Sequence, residues 1–111
     1  MNNKVLKSVP IRREDVIKWE KEGEIIVIMY DKNLSRFEEW IREKIGGTEI
    51  IRRPLDKYTT FIWEKCDGKN TISEIIKEFD NEFGEIVAPA GARVIGFMEK
   101  MLKINVIRLG S

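Results

Sequence analysis

The chain has no histidine, a single cysteine and three prolines in 111 residues. Without histidine, neither a Cys/His dyad nor a Ser/His/Asp triad can be assembled, and the usual zinc ligand sets are missing. One cysteine excludes an internal disulfide and fits a reducing cytoplasm. No glycine-rich phosphate loop occurs, because Gly46-Gly47 is followed by Thr48-Glu49 rather than Lys-Ser or Lys-Thr. No apolar run approaches the roughly 20 residues of a membrane span, and none follows Met1-Asn2-Asn3-Lys4 as a signal peptide would require. Charge of one sign is also lacking. Twenty basic residues against 19 acidic ones give a net charge of +1, so neither nucleic acid nor an anionic membrane surface is an expected partner. These absences lead us to expect a protein that is not an enzyme and carries no cofactor and no metal.

What is present is a globular composition, 42% hydrophobic and 35% charged, sized for one small domain with one core. Residues 15–30 read as a β-hairpin. Val16–Glu20 is its first strand, Lys21-Glu22-Gly23 its turn, and Glu24–Tyr30 a β-branched run suited to a strand covered on both faces. Residues 35–46 read as an amphipathic helix: Ser35 and Glu38 form a capping box, Phe37, Trp40, Ile41 and Ile45 share a face, and Gly46-Gly47 ends it. Residues 48–53 are a third strand, stopped by Pro54. A helix over 56–66 starts at the cap Asp56, with Tyr58, Phe61, Ile62 and Cys66 inward and Trp63 turned towards a neighbouring element. A helix over 71–83 carries a Thr71/Glu74 capping box and the stripe Ile72, Ile75, Ile76, Phe79 and Phe83, and Gly84 closes it. Pro89 opens a last helix, 89–103, with Val94, Phe97, Met98 and Met101 inward, and Ile104–Leu109 is suited to pair as a strand.

The stretch Cys66-Asp67-Gly68-Lys69-Asn70-Thr71 places a nucleophile beside a carboxylate. With only carboxylates and lysines to serve as base, and with Cys66 on an inner helical face, it reads as a chain reversal between two helices rather than an active-site loop.

Strand, strand, inserted helix, strand and three helices make an α+β domain on the winged helix-turn-helix plan, a small antiparallel sheet beside a three-helix bundle. The run from Leu55 to Ile75, with Trp63, Cys66-Asp67-Gly68 and Thr71-Ile72-Ser73-Glu74-Ile75, resembles the signature of the pyrroloquinoline quinone synthesis protein D (PqqD) family. Phe79-Asp80-Asn81-Glu82-Phe83 and the positions Phe97, Met101 and Leu102 extend the likeness, which covers roughly residues 16–109. The helix over 35–46 is not usual in that family, and Glu85–Pro89 carries no acidic cluster.

The resemblance implies a non-catalytic precursor-peptide recognition element. Such a module holds the leader of a ribosomally made peptide as an added strand and presents it to a modifying enzyme, often a radical S-adenosylmethionine enzyme. The expected peptide-binding residues are Glu49, Ile50, Ile51, Arg52 and Arg53 on the third strand, with Arg93, Gly96 and Lys100 on the last helix. Gly96 has a second reading, as a site of tight helix packing. The expected partners are a precursor peptide and its maturation enzyme, and a homodimer is left open. The alternatives are a winged-helix DNA-binding regulator, which the acidic residues Glu74, Glu78, Asp80, Glu82 and Glu99 and the balanced charge disfavour, and a general protein-interaction domain.

Overall fold

In the computed structural model, which describes residues 3–32 and 49–111, the chain order is helix, four strands, three helices and a final strand. Helix α1 spans Asn3–Leu6, β1 Val9–Arg12, β2 Lys18–Glu22, β3 Ile25–Asp31 and β4 Ile50–Pro54. Helix α2 spans Lys57–Glu64, α3 Ile72–Phe83, a 3-10 turn Gly84–Val87, α4 Ala90–Lys103 and β5 Ile107–Gly110. The class is α+β, as the sequence leads one to expect. The helix expected over 35–46 and Thr48 of the expected third strand lie outside the described residues. No described helix is long and apolar enough to cross a membrane.

The strands form two antiparallel sheets, β2-β3-β4 and β1-β5. The hairpin β2-β3 pairs Glu22 with Ile25, leaving Gly23-Glu24 as a two-residue turn. Gly23 has φ 66°, the conformation that a primed hairpin turn requires of its first central residue. The hairpin thus starts later than expected. The amides of Val16 and Ile17 both donate to the Arg13 carbonyl at 3.0 and 3.1 Å, which bends this segment into a turn before β2.

Strand β4 runs through Pro54 instead of stopping before it. The Leu55 amide donates to the Ile26 carbonyl at 2.8 Å and the Lys32 amide to the Glu49 carbonyl at 2.8 Å. Antiparallel hydrogen-bonded pairs alternate, so Glu49, Ile51, Arg53 and Leu55 direct their backbone groups at β3. Pro54 stands on the other parity, where its missing N–H costs the ladder nothing.

Strand β1 has no counterpart in the expected plan, since four residues including Pro10 carry little strand signal. It is held on both sides. β5 pairs along one edge, with Ile11 opposite Arg108. On the other edge Arg12 N–H donates to Cys66 O at 3.1 Å and Gly68 N–H to Pro10 O at 3.1 Å. Gly68 has φ 82°, and a Cβ there would stand 3.4 Å from Ile11. The reversal after α2 therefore serves as the dock for β1.

The core lies between the β2-β3-β4 sheet and the helices. Ile26 and Ile28 of β3, Ile62 and Trp63 of α2, Ile72, Ile75 and Phe79 of α3 and Val94, Met98 and Met101 of α4 are each at most 1% exposed. Burial of each such side chain stabilises the fold by about 1.5–3 kcal/mol. Trp63 belongs to this core, and the neighbouring element it faces is β2, where its ring meets Trp19 edge-on at 6.3 Å. The buried Thr60 hydroxyl accepts from the Ile26 amide at 3.0 Å, tying α2 to the start of β3.

Both expected caps are present. Asp56 and Thr71 each accept from the third helical residue, Thr59 and Glu74, and each closes a reciprocal capping box. Pro89 sits one position earlier than expected, as the residue preceding α4 rather than its first member. At the other end of α4, Asn105 adopts φ 64°, and the amides of Asn105 and Val106 donate to Leu102 O and Met101 O. This is a Schellman termination, with asparagine in the left-handed place that glycine more often fills. It turns the chain into β5.

Candidate functional site

Within the β2-β3-β4 sheet, β4 has β3 on one side and no other described strand on the second. The alternation derived above leaves Ile50 and Arg52 with both N–H and C=O directed away from β3, and Pro54 with a C=O alone. Side chains alternate with the same parity, perpendicular to the hydrogen bonds. Ile51 and Arg53 are half-buried and share the face of Ile28 and Tyr30, while Ile50, Arg52 and Pro54 are exposed on the opposite face.

The inner face meets α4 across a cavity of about 490 Å³. Its floor is apolar, built from Leu55, Ile62, Phe79, Phe97 and Met101, all buried. Its rim carries Arg53 from β4, Asp56 and Tyr58 from the start of α2, and Arg93 and Lys100 from α4. Helical spacing explains the α4 wall. Ala92, Gly96 and Lys100 follow one another at i, i+4 and i+8, with Arg93 beside them, and all four are exposed. Val94, Phe97, Met98 and Met101 turn to the core. Gly96 leaves the middle of this wall bare, and a Cβ built on it would meet no atom within 4 Å. The tight-packing reading of Gly96 is thereby excluded for the described residues.

The rim electrostatics are mostly positive. Arg53 is oriented by its Nε donating to Tyr30 Oη at 3.1 Å. Asp56 is the one rim carboxylate. Partial burial pushes its pKa up, but hydrogen bonds from Thr59 and Tyr58 and the charge of Arg93 outweigh this, so the net shift is downward. On the outer face Arg52 Nη2 pairs with Glu22 Oε2 at 2.9 Å. This pairing and a hydrogen bond from Glu20 hold the Glu22 carboxyl below its ordinary range, while Glu20, which shares that bond, is raised.

Of the eight residues expected at the site, Arg53, Arg93, Gly96 and Lys100 line the one cavity. Ile50, Ile51 and Arg52 lie on β4 outside its lining. Glu49 precedes the strand and is engaged with Lys32, backbone to backbone at 2.8 Å and carboxylate to Nζ at 3.3 Å. Sequence reasoning missed Ala92, Tyr58 and the apolar floor. The Tyr58-x-x-x-Ile62 and Ala92-x-x-x-Gly96-x-x-x-Lys100 spacings were the available signals, but the first fits a core stripe equally well.

Cys66 lies away from this cavity. Its Sγ donates to Ile62 O at 3.3 Å, and burial pushes its thiol up to about 12. The side chain closest in kind to a functional group there is Arg12, which the sequence alone did not single out. Its Nη1 donates to Trp63 O and Glu64 O at 3.0 and 3.2 Å, and its guanidinium lies 5.0 Å from the Trp19 ring centroid. It caps the C-terminus of α2, a structural duty.

Among the described residues, the second edge of β4, an apolar cavity beside it and a cationic rim lie together. Residues 54–107 match the family model described as coenzyme PQQ synthesis protein D (PqqD). The chain is PqqD-like over that stretch, which takes in the last residue of β4, helices α2, α3 and α4 and the start of β5. Neither the curated proteins nor the solved structures yield a match.

Proposed function

We propose that this protein is a non-catalytic peptide-binding module that holds the leader segment of a ribosomal precursor peptide as an additional strand on β4. It presents the peptide to a modifying enzyme in the cytoplasm, and a radical S-adenosylmethionine enzyme is the partner class that the family likeness implies. The observation that carries this reading is the juxtaposition of the outward backbone groups of Ile50 and Arg52 with the cavity under the bare Gly96 wall. An unsaturated strand edge is a hydrogen-bond template, and a groove alongside it receives every second side chain of whatever adds there. The winged-helix description of the domain belongs to the same reading.

The test is hydrogen exchange on the protein with a binder selected from a displayed library of extended peptides. The amides of Ile50 and Arg52 are expected to gain protection, since those two face away from β3. Arg52→Pro is expected to abolish binding with little loss of fold, and Arg52→Gln serves as the control for the side chain. Ile51→Pro is the wrong probe for this purpose, because the Ile51 amide belongs to the β3-β4 ladder. Protection confined to α3, or a library that yields no binder, would overturn the proposal.

A further inference from the structure

Strand addition says where a peptide lies but not which peptide, and the two faces of β4 differ in what they offer. An added strand alternates its side chains as β4 does. Residues opposite Ile50 and Arg52 point to the outer face, where Arg52 is already paired with Glu22 at 2.9 Å. That row is charge-balanced and has no cavity, so it selects little. Residues opposite Ile51 and Arg53 point to the inner face, where Arg53 lines the cavity and Ile51 lies just outside it. There an apolar floor is ringed by Arg53, Arg93 and Lys100 against the single carboxylate of Asp56. None of these three cations has a carboxylate partner among the ion pairs of the described residues.

From this we infer that the module reads its peptide through alternate residues only. It requires a large apolar side chain at one inward position and an acidic side chain two residues away, at the next inward position. The apolar group fills the floor, and the carboxylate, about 7 Å along an extended chain, reaches the cationic rim. The outward residue between them is free to vary. Gly96 admits the peptide backbone against α4 and so allows the inward side chains their depth. This inference rests on the strand-addition reading and adds to it the chemistry of the ligand.

Fluorescence anisotropy with labelled synthetic peptides tests it. The reference peptide is a threonine- and serine-rich extended host carrying Leu-Thr-Glu, and each variant is measured together with hydrogen exchange on the strand amides. Replacing the glutamate by glutamine is expected to weaken binding about tenfold, as loss of a charge-assisted hydrogen bond does. Shifting the glutamate by one residue, onto the outer face, is expected to do the same, and replacing the leucine by alanine to lose most of the binding. In the protein variant Arg93→Gln/Lys100→Gln, both sites being exposed, glutamate and glutamine peptides are expected to bind alike. Peptides that protect Ile50 and Arg52 yet bind equally with glutamate, glutamine or the shifted glutamate would overturn the inference while leaving strand addition standing. Peptides that leave those amides unprotected would overturn both. Concentration-dependent protection of β4 without any peptide would show a second copy of the chain to be the occupant, and would equally overturn it.

Discussion

Replacing Gly96 by alanine separates a glycine kept for packing from one kept for a ligand. The residue stands in the middle of the 14-residue helix α4, where glycine costs about 0.5–1 kcal/mol relative to alanine through the backbone freedom it must give up. In a structure where a Cβ at this position meets no atom within 4 Å, nothing offsets that cost. Gly96→Ala is therefore expected to stabilise the free protein by about 0.5–1 kcal/mol, a rise in melting temperature of roughly 2–4 °C for a domain of this size. The same methyl group projects into the cavity from its α4 wall, so peptide binding is expected to weaken as the fold strengthens. Thermal melts followed by circular dichroism give the first quantity and peptide anisotropy the second. A destabilised Gly96→Ala protein would show that α4 packs through this glycine. A stabilised variant that still binds at full strength would show that no ligand backbone approaches it.

Other perturbations follow from the same geometry. Thr71→Ala removes a reciprocal capping box and should lower stability by about 0.5–2 kcal/mol in denaturant titrations, with peptide binding unchanged. Arg12→Gln strips two carbonyls at the end of α2 of their guanidinium partner and should cost about 1–3 kcal/mol; an unchanged midpoint would dismiss its capping duty. Cys66, with its thiol pushed up to about 12, should resist iodoacetamide at neutral pH and react only on unfolding, which mass spectrometry reads directly. Because its folded pKa lies above the unfolded one, the stability tied to this thiol is complete below the ordinary thiol range and is lost as pH rises towards 12. The wild type should therefore lose more stability than Cys66→Ala between neutral and strongly alkaline pH.

The helical half of the molecule was legible because its signals are local. Thr71 and Glu74, Asp56, Gly84 and the spacing of Ile72, Ile75 and Phe79 act within a turn or two of their own position, and the structure uses each as the pattern suggests. The sheet was legible only in part, since a strand is completed by a partner distant in sequence. Val9–Arg12 becomes a strand because β5 and the Cys66–Gly68 reversal present backbone groups to it from both sides, information absent from its own four residues. Pro54 looked like a stop signal because the parity of the ladder, which excuses its missing N–H, is set by Lys32 and Ile26 across the sheet. Trp63 could be turned towards a neighbouring element but not given its partner: the helical wheel shows one inner face, while the wall on its second side is β2, where Trp19 meets it. At the site, Arg53, Arg93, Gly96 and Lys100 were named in advance only through a family likeness, and the apolar floor between them, spread over several elements, has no sequence pattern of its own.

On the strand-addition proposal, the shortness of β4 sets the terms of binding. Among the described residues of β4, only Ile50 and Arg52 offer complete outward pairs of backbone groups, and Pro54 withholds a donor. Four hydrogen bonds at about 0.5–1.5 kcal/mol net each come to roughly 2–6 kcal/mol. Fixing an incoming extended segment costs about 1–2 kcal/mol for each residue ordered, which over three or four residues is of the same size. Backbone pairing by itself thus leaves almost nothing over, and the edge is protected from pairing with arbitrary strands by that near balance. What tips it is the cavity. Burying one leucine-sized side chain on the floor of Leu55, Ile62, Phe79, Phe97 and Met101 contributes about 1.5–3 kcal/mol, and a carboxylate at the cationic rim contributes a similar amount. Under the proposed strand addition, a peptide lacking those inward groups would meet an edge too short to hold it, so selectivity would follow from the brevity of the strand as much as from the chemistry of the groove.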